Sequence, residues 1–267
     1  MDRTKLITGK EPLMLIDERQ NQILEIIKEK VFVRVDELAS RVYASPATIR
    51  RDLALLDQAG LIQRLHGGAS LIGASAGETS TLVRKQSNVV EKRRIALRAL
   101  DFIQNGGCYF LDSSTTSEKI VPFLTKKNDI TIITNGLETG VQLASIPSCK
   151  GYIAGGEIQR KSASSISGDV ALFVSAFTCE ATFFSCKGAS LINGPTEGTL
   201  EQQRCKAAML CHSSKHILLI DHTKFGQTHM VSDCPWSEVD VVITDEEPPK
   251  EFLKAFEENK VQLVIAS

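Results

Sequence analysis

Residues 44–57 read ASPATIRRDLALLD, and the N-terminal fold turns on this stretch. Ser45 followed by Pro46 marks a helix start: the serine hydroxyl caps backbone N–H groups, and proline suits the first helical position, where its missing N–H is not needed. Ile49, Leu53 and Leu56 recur at i, i+4 and i+7 and give the helix one apolar face. At 3.6 residues per turn, Ala47, Thr48 and Arg51 point away from that face and Arg50 lies on its flank. Small, hydroxylated and basic side chains near a helix N-terminus suit a helix that enters the DNA major groove end-first, where arginine grips guanine or phosphate. Alone, the pattern fits an amphipathic surface helix with two solvated arginines equally well.

The flanking sequence separates the two readings. Val35–Val42, VDELASRV, is a helix of barely two turns that Asp36 is placed to cap, and the short gap to Ser45 is helix-turn-helix spacing. Upstream, Asp17-Glu18-Arg19-Gln20 reads as a capping box opening a longer helix with Ile23, Leu24 and Ile27 on one side. Downstream, Leu61–Ala69, LIQRLHGGA, alternates and then turns at two glycines, as a β-wing does. Three helices and a wing make a winged helix-turn-helix. The expected DNA contacts are Ser45, Ala47, Thr48, Arg50 and Arg51 on the recognition helix and Arg64 and His66 in the wing.

This block resembles the N-terminal domain of the DeoR family of bacterial transcriptional regulators. The matching words are ERQNQILEII, VDELASRV and SPATIRRDLALLDQAGLIQRLHGGA, gapless across roughly residues 17–70. Tyr43-Ala44 stands where the family usually has Gly-Val or a similar pair. The block carries eight basic residues (Arg19, Lys28, Lys30, Arg34, Arg41, Arg50, Arg51, Arg64) and eight acidic ones (Asp17, Glu18, Glu25, Glu29, Asp36, Glu37, Asp52, Asp57), a balance of zero. DNA affinity therefore has to come from where the charges sit and from pairing two such domains.

The chain has 267 residues and a net charge of −1, with 42% hydrophobic residues, which fits two domains and a sizeable core. No apolar run approaches the roughly 20 residues of a membrane span. The opening MDRTKLITGKEPLMLI lacks a continuous apolar h-region, so no signal peptide is expected and its first dozen residues read as a loose tail. The seven cysteines, Cys108, Cys149, Cys179, Cys186, Cys205, Cys211 and Cys234, form no CxxC and no finger spacing with histidine. Reduced, mostly buried thiols in the cytoplasm are the expectation. His212, His216, His222 and His229 show no metal-like spacing, and neither a metal nor a cofactor is expected. Trp236, after Pro235, reads as packing.

Residues 70–88 are small and polar and suggest a linker. Domain boundaries follow at 15–70 for the winged helix-turn-helix, 71–89 for the linker and 90–267 for the remainder. Lys92–Ile103 reads as a helix. From there strands (108–112, 130–135, 152–156, 181–186, 216–221, 239–244, 261–266) alternate with helices (116–124, 137–144, 169–177, 200–211, 250–258). Repeated βα units imply a mainly parallel sheet covered on both faces. The fold class is α/β, preceded by the small winged domain.

Ligands of such sheets bind at the C-terminal strand ends, where loops meet helix N-termini. Four ends here are polar or small. Asp112-Ser113-Ser114-Thr115-Thr116 offers hydroxyls and backbone N–H groups at a helix start, an anion cradle suited above all to phosphate. Thr134-Asn135-Gly136 is the second. Gly155-Gly156, where absent side chains admit a ligand to the backbone, is the third. Asp221-His222-Thr223-Lys224-Phe225 supplies a carboxylate for sugar hydroxyls and an ammonium for phosphate. One such loop is most simply a helix cap; four on one sheet point to a pocket.

Residues 84–245 also resemble the DeoR family, through KRRIA, FLDSSTT, ITIITNGLE, GGEIQRKSASSISG, KAAML and LLIDHTKFG. The resemblance implies a sugar-phosphate-sensing domain with a fold similar to the ribose-5-phosphate isomerase and glucosamine-6-phosphate deaminase group. It implies that Asp112, Ser113, Ser114, Thr115 and Thr116 hold the phosphate, that Thr134, Asn135, Gly155 and Gly156 line the pocket, and that Lys206, Asp221 and Lys224 complete it. The family often has glutamate just ahead of the helix lysine. Here the run is Leu200-Glu201-Gln202-Gln203-Arg204-Cys205-Lys206, with the glutamate displaced or replaced by Gln202.

These readings converge on a ligand-controlled regulator that is not an enzyme. Its partners are double-stranded operator DNA, a phosphorylated sugar and further copies of itself, as a dimer or tetramer. The implied action is repression of a sugar catabolism operon, relieved by the sugar. An isomerase or deaminase with a DNA-binding appendage is the alternative, with Asp112 or Asp221 as base. A constitutive DNA-binding protein whose C-terminal half only oligomerises is a third.

Overall fold

Thr48 N donates to Ser45 Oγ at 3.1 Å, so the serine caps its helix as the sequence implies. The computed structural model that shows this describes residues 18–28, 33–65, 67–71 and 81–266. Its first unit runs α1 (Glu18–Lys28), β1 (Val33–Arg34), α2 (Val35–Arg41), α3 (Pro46–Gln58), β2 (Ile62–Leu65) and β3 (Gly68–Leu71). Ile23, Leu24 and Ile27 of α1, Leu38 of α2 and Ile49, Leu53 and Leu56 of α3 are all buried. The wing forms as expected. β2 and β3 pair antiparallel from Ile62↔Leu71 to Leu65↔Gly68, and β1 adds Val33↔Ala69. Gly67, at φ +81°, makes the turn in a conformation that side chains resist.

Two N-terminal details differ from expectation. Arg34, not Asp36, holds the cap position of α2, and makes no side-chain cap bond. Asp36 instead lies in the first turn, where a carboxylate complements the helix dipole. The Asp17 half of the capping box, His66 and the expected tail fall outside the described residues; Gln20 is buried, with Nε2 3.5 Å from Asp52 Oδ1.

The units divide between Ala76 and Gly77, inside the expected linker, and the end of that stretch is helical. The second unit opens with α4 (Thr81–Gln86), α5 (Val89–Ala99), β4 (Cys108–Leu111), a 3₁₀ helix (Ser117–Lys126), β5 (Ile130–Thr134), α6 (Leu137–Leu143) and β6 (Cys149–Ile153). Next come β7 (Glu157–Gln159), β8 (Ser164–Ile166), α7 (Gly168–Val174), β9 (Ala181–Phe184), β10 (Gly188–Ser190), β11 (Gly194–Glu197) and α8 (Leu200–Cys211). The chain ends with β12 (His216–Leu219), β13 (Val231–Ser232), β14 (Val241–Thr244), α9 (Lys250–Asn259) and β15 (Gln262–Ile265). The stretch expected as an α-helix over 116–124 is 3₁₀ because Pro122 lies inside it. Proline has no N–H to donate, and its ring clashes with the carbonyl of residue i−4.

Seven strands form one parallel sheet in the order β15-β14-β12-β9-β4-β5-β6. Side chains alternate between its faces. Tyr109, Leu111, Ile132, Phe183, Ile217, Leu219, Val241 and Ile243 enter one core. Their neighbours split into two on the other face, Phe110 and Ile133 in one and Phe184, Leu218, Ile220 and Val242 in the other. Burial on both faces explains why these strands read as continuous apolar runs. Chain order reverses between β4 and β9, which makes that gap the switch point of the sheet. Two small antiparallel sheets, β7-β8 and β10-β11-β13, have no counterpart in the sequence reading. All seven cysteines are free; Cys179, Cys186, Cys205 and Cys234 are buried, Cys108 and Cys149 half-buried, and Cys211 exposed. Trp236 is buried, donates Nε1–H to Ser190 O at 3.0 Å and meets Phe252 and Phe256 edge-on.

Candidate functional sites

The N-terminal unit presents Ser45, Ala47, Arg50 and Arg51 as exposed residues on the first turns of α3, with Thr48 half-buried. Arg64 is exposed on β2, and its backbone N–H donates to Asp57 Oδ1 at 3.1 Å, tying the wing to the end of α3. Behind this face lies a pair the sequence does not advertise. Asp52 is buried and accepts Arg19 Nε at 2.7 Å and Nη2 at 3.2 Å. A bidentate guanidinium–carboxylate pair fixes orientation as well as distance, so it sets α1 against α3. A groove of about 460 Å³ runs along this face between Arg19, Gln20, Ala47, Thr48, Arg51, Asp52 and Leu55.

In the C-terminal unit, a narrow cleft opens at the switch point between β4 and β9. Asp112, Ser113, Ser114 and Lys206 line it together with Arg84, Ser162, Glu197 and Gln202. Asp112 leaves the end of β4 and accepts two backbone donors, Ser114 N at 3.1 Å on Oδ1 and Ser185 N, just past β9, at 2.9 Å on Oδ2. It therefore staples the two strand ends together. Ser114 Oγ accepts from Ser117 N, the first residue of the 3₁₀ helix, at 3.1 Å. Thr115 and Thr116 are buried beneath this loop, and Thr116 Oγ1 has no hydrogen-bond partner.

Gln202 and Lys206, one turn apart on α8, are both buried and reach the cleft. Gln202, not the exposed Glu201, is the polar hub. Its Oε1 accepts from Ser113 Oγ at 3.2 Å, and Nε2 lies 2.8 Å from Gln159 Oε1 and 2.9 Å from both Ser162 Oγ and Ser164 Oγ. Lys206 Nζ donates to Glu197 Oε1 at 2.6 Å and to Asp233 Oδ2 at 3.1 Å. Burial pulls the lysine pKa down, but Asp233, Glu197 and Asp112 outweigh it and keep the ammonium charged. Burial pushes Asp233 up to about 7, with Glu197 adding to the rise. Burial also works against Glu197, yet Lys206 and the Gly198 N–H hold it below its usual range.

The other expected residues take separate places. Thr134 Oγ1 accepts from Gly136 N within the turn that follows β5, and Asn135 Nδ2 donates to Ser165 O, which fastens the β5 end to the β7-β8 hairpin. Gly155 is exposed with open space beside it. Gly156, at φ +148°, has Ile166 O 2.5 Å from where a Cβ would stand. Asp221 accepts from Asn88 Nδ2 at 2.9 Å and from the Thr223 hydroxyl. Burial raises its pKa, but Lys224 and the hydrogen bonds bring it below the ordinary value. Lys224 Nζ donates to Ser185 Oγ and Cys186 O, both at 2.8 Å. Asp112, Ser185 and Lys224 thus form a polar chain across the ends of β4, β9 and β12.

Sequence reading did not place Arg84, Gln159, Ser162, Ser164, Glu197 or Asp233 at the site. The hydroxyl-rich run after Gly155-Gly156 is a signal for Ser162 and Ser164. Glu197 and Asp233 come from the unforeseen small sheet and carry none. Among the described residues, His222, Asp245 and Glu246 also approach one another closely enough to hold a metal. Asp245, however, uses both carboxylate oxygens on His222, accepting its backbone N at 2.8 Å and pairing with Nδ1 at 2.7 Å.

A winged helix-turn-helix followed by an α/β unit with a polar cleft at its switch point is the architecture of a DNA-binding transcriptional regulator with a sensor domain. Comparison with known proteins makes the assignment particular. Residues 19–74 match the DeoR-like helix-turn-helix domain and residues 87–246 the DeoR C-terminal sensor domain. The chain belongs to the DeoR family of transcriptional regulators, and is a regulator rather than an enzyme. It is 32% identical over 246 residues to the glycerol-3-phosphate regulon repressor of Escherichia coli (strain K12), covering 92% of this chain and 97% of the relative. It is 28% identical to the HTH-type transcriptional repressor CsqR of the same organism, covering 92% and 94%. Among solved structures, ribose 5-phosphate isomerase A from Methanocaldococcus jannaschii aligns at TM-score 0.39 and 11% identity, covering 52% of this chain and 55% of that one. Among the described residues no helix is long and apolar enough to cross a membrane.

Proposed function

We propose that the chain is a cytoplasmic repressor of a sugar catabolism operon, released from its operator by a phosphorylated sugar. The observation that carries this is the cleft: serine hydroxyls, a buried ammonium and carboxylates converge at the switch point of a parallel sheet, where ligands of such folds bind. The ammonium and serines suit phosphate and the carboxylates suit sugar hydroxyls. The effector set comprises Asp112, Ser113, Ser114, Thr115, Thr116, Thr134, Asn135, Gly155, Gly156, Lys206, Asp221 and Lys224, within a sensor region of residues 90–267. Residues 15–70 bind DNA through Ser45, Ala47, Thr48, Arg50, Arg51, Arg64 and His66. One winged helix buries too little surface for tight specific binding, so the C-terminal region assembles a dimer or tetramer that engages paired half-sites. The effector favours the conformation that cannot hold both half-sites, and release follows from that difference in affinity.

Thermal-shift screening with matched free and phosphorylated sugars tests the reading, followed by operator gel shifts and a turnover assay with each binder. The expected result is stabilisation and operator release by one phosphorylated sugar without conversion. Equal binding of the free and phosphorylated forms, or product formation, refutes it.

A further inference from the structure

The cleft as it stands is too small for the ligand proposed for it. It holds about 20 Å³, room for roughly one water, whereas pockets for small organic ligands begin near 300 Å³. Something has to move, and the lining shows which part yields most readily. Asp112 is held by two backbone donors, Lys206 by two carboxylates and Gln202 by four polar side chains. Arg84 is the lining residue that comes from α4.

α4 is attached through polar contacts along its length. Thr81 N and Oγ1 both donate to Lys161 O, at 2.8 and 2.9 Å. Lys85 Nζ lies 3.1 Å from Glu118 Oε1 and 3.4 Å from Glu138 Oε2, with Glu138 largely exposed. Lys92 Nζ donates to Arg84 O and to Ser87 O, and Asn88 Nδ2 reaches Asp221 Oδ1. Thr81, Glu118 and Lys92 are buried, whereas Lys85 pairs across to a largely exposed Glu138, and a partly exposed ion pair of that kind is weak beside a buried network. The positive charge of Arg84 helps to keep Glu197 ionised, so in this state the protein supplies its own cation to the cleft. α4 also begins only a few residues beyond the boundary between the two units.

We infer that α4 is a self-inhibitory strap over the cleft: a phosphosugar enters by lifting α4, and that displacement is delivered straight into the segment leading to the DNA-binding unit. The inference rests on the phosphosugar reading of the cleft for its ligand, but strap opening is measurable without one. The perturbation is Lys85→Ala in the full chain, which removes an anchor without touching a cleft-lining residue. The first readout is the rate at which iodoacetamide labels position 113 in a Ser113→Cys background, followed by peptide mass spectrometry to separate it from the native cysteines. Labelling is expected to rise about two- to five-fold, and Lys85→Arg, which keeps the charge, to stay near the parent rate. The second readout is calorimetry with a panel of hexose and pentose phosphates on the full chain and its Lys85→Ala variant, both keeping Ser113. Apparent affinity is expected to tighten by a similar factor, because the competent fraction has grown. Unchanged or slower labelling in Lys85→Ala overturns the strap, whatever the calorimetry shows. Faster labelling with no phosphosugar binding to either protein leaves the strap standing and overturns the effector class instead.

Discussion

Replacing Lys206 with methionine is expected to destabilise the C-terminal unit strongly and in a pH-dependent way. Lys206 is the shared cation of two carboxylates, the partly buried Glu197 at 2.6 Å and the buried Asp233 at 3.1 Å, and its own side chain is only 6% exposed. Methionine fills most of the same volume, so the loss isolates the charge rather than a cavity. Breaking a buried ion pair from one side costs about 3–5 kcal/mol, because the remaining charge stays desolvated. Without the ammonium, Glu197 loses the partner that holds its pKa down, and Asp233, already pushed up to about 7, rises further. Carboxylates whose folded pKa lies above the unfolded value contribute stability that is present at low pH and lost as pH rises. The destabilisation is therefore larger at pH 8 than at pH 5.5. The assay is urea unfolding followed by tryptophan fluorescence. Trp236 is the single tryptophan of the chain and is buried in the C-terminal unit, so the signal reports on that unit. A loss below about 1 kcal/mol at pH 8, or an equal loss at both pH values, would refute the argument. The same result bears on effector studies: a Lys206 variant that fails to respond has lost a structural cation as well as a candidate ligand contact.

Three further expectations follow from particular residues. Arg50→Ala and Arg51→Ala each weaken operator binding without unfolding the protein, since both side chains are exposed; a base contact costs about 1–3 kcal/mol and relaxes specificity, a phosphate contact lowers the salt slope, and unchanged gel-shift affinity in both removes α3 from recognition. Tyr43→Gly stabilises the N-terminal unit by up to about 1 kcal/mol in a thermal melt, because Tyr43 sits at φ +52° and is 97% exposed, so glycine relieves strain and forfeits little packing; a lower melting temperature counts against this. Burial, aided by Lys224, holds Lys92 at about 7 against an ordinary 10.5. Between those values the unfolded chain binds more protons, so Lys92 makes stability rise with pH, by at most about 1.4 kcal/mol per pH unit. Buried thiols with raised pKa values act oppositely above about pH 8.5. Lys92→Met should therefore make the stability-against-pH slope less positive than in the parent between pH 7 and 8.5, measured by urea unfolding, and identical slopes exclude Lys92 as the titrating group.

What the sequence determined by itself was local. Ser45-Pro46 and the Ile49, Leu53, Leu56 spacing specify a capped helix because capping and amphipathic periodicity involve only neighbours along the chain. The strand ends at Asp112 and Asp221 were legible for the same reason, as short apolar runs followed by polar residues. Gly67 was readable as a turn glycine, whereas Gly156 read as an opening for a ligand, and only its positive φ and its closeness to Ile166 O show that the backbone itself needs glycine there. Tertiary structure decided the rest. The switch point between β4 and β9 follows from strand order, which no local pattern encodes. Lys206 finds Glu197 and Asp233 through a small sheet of short strands whose pairing comes from packing and not from period. Asp52 is buried against Arg19, 33 residues away, and Arg84 lies in a stretch that reads as linker yet folds onto the cleft. In each case the energy comes from desolvated partners distant in the chain, and it exists only once the backbone has brought them together.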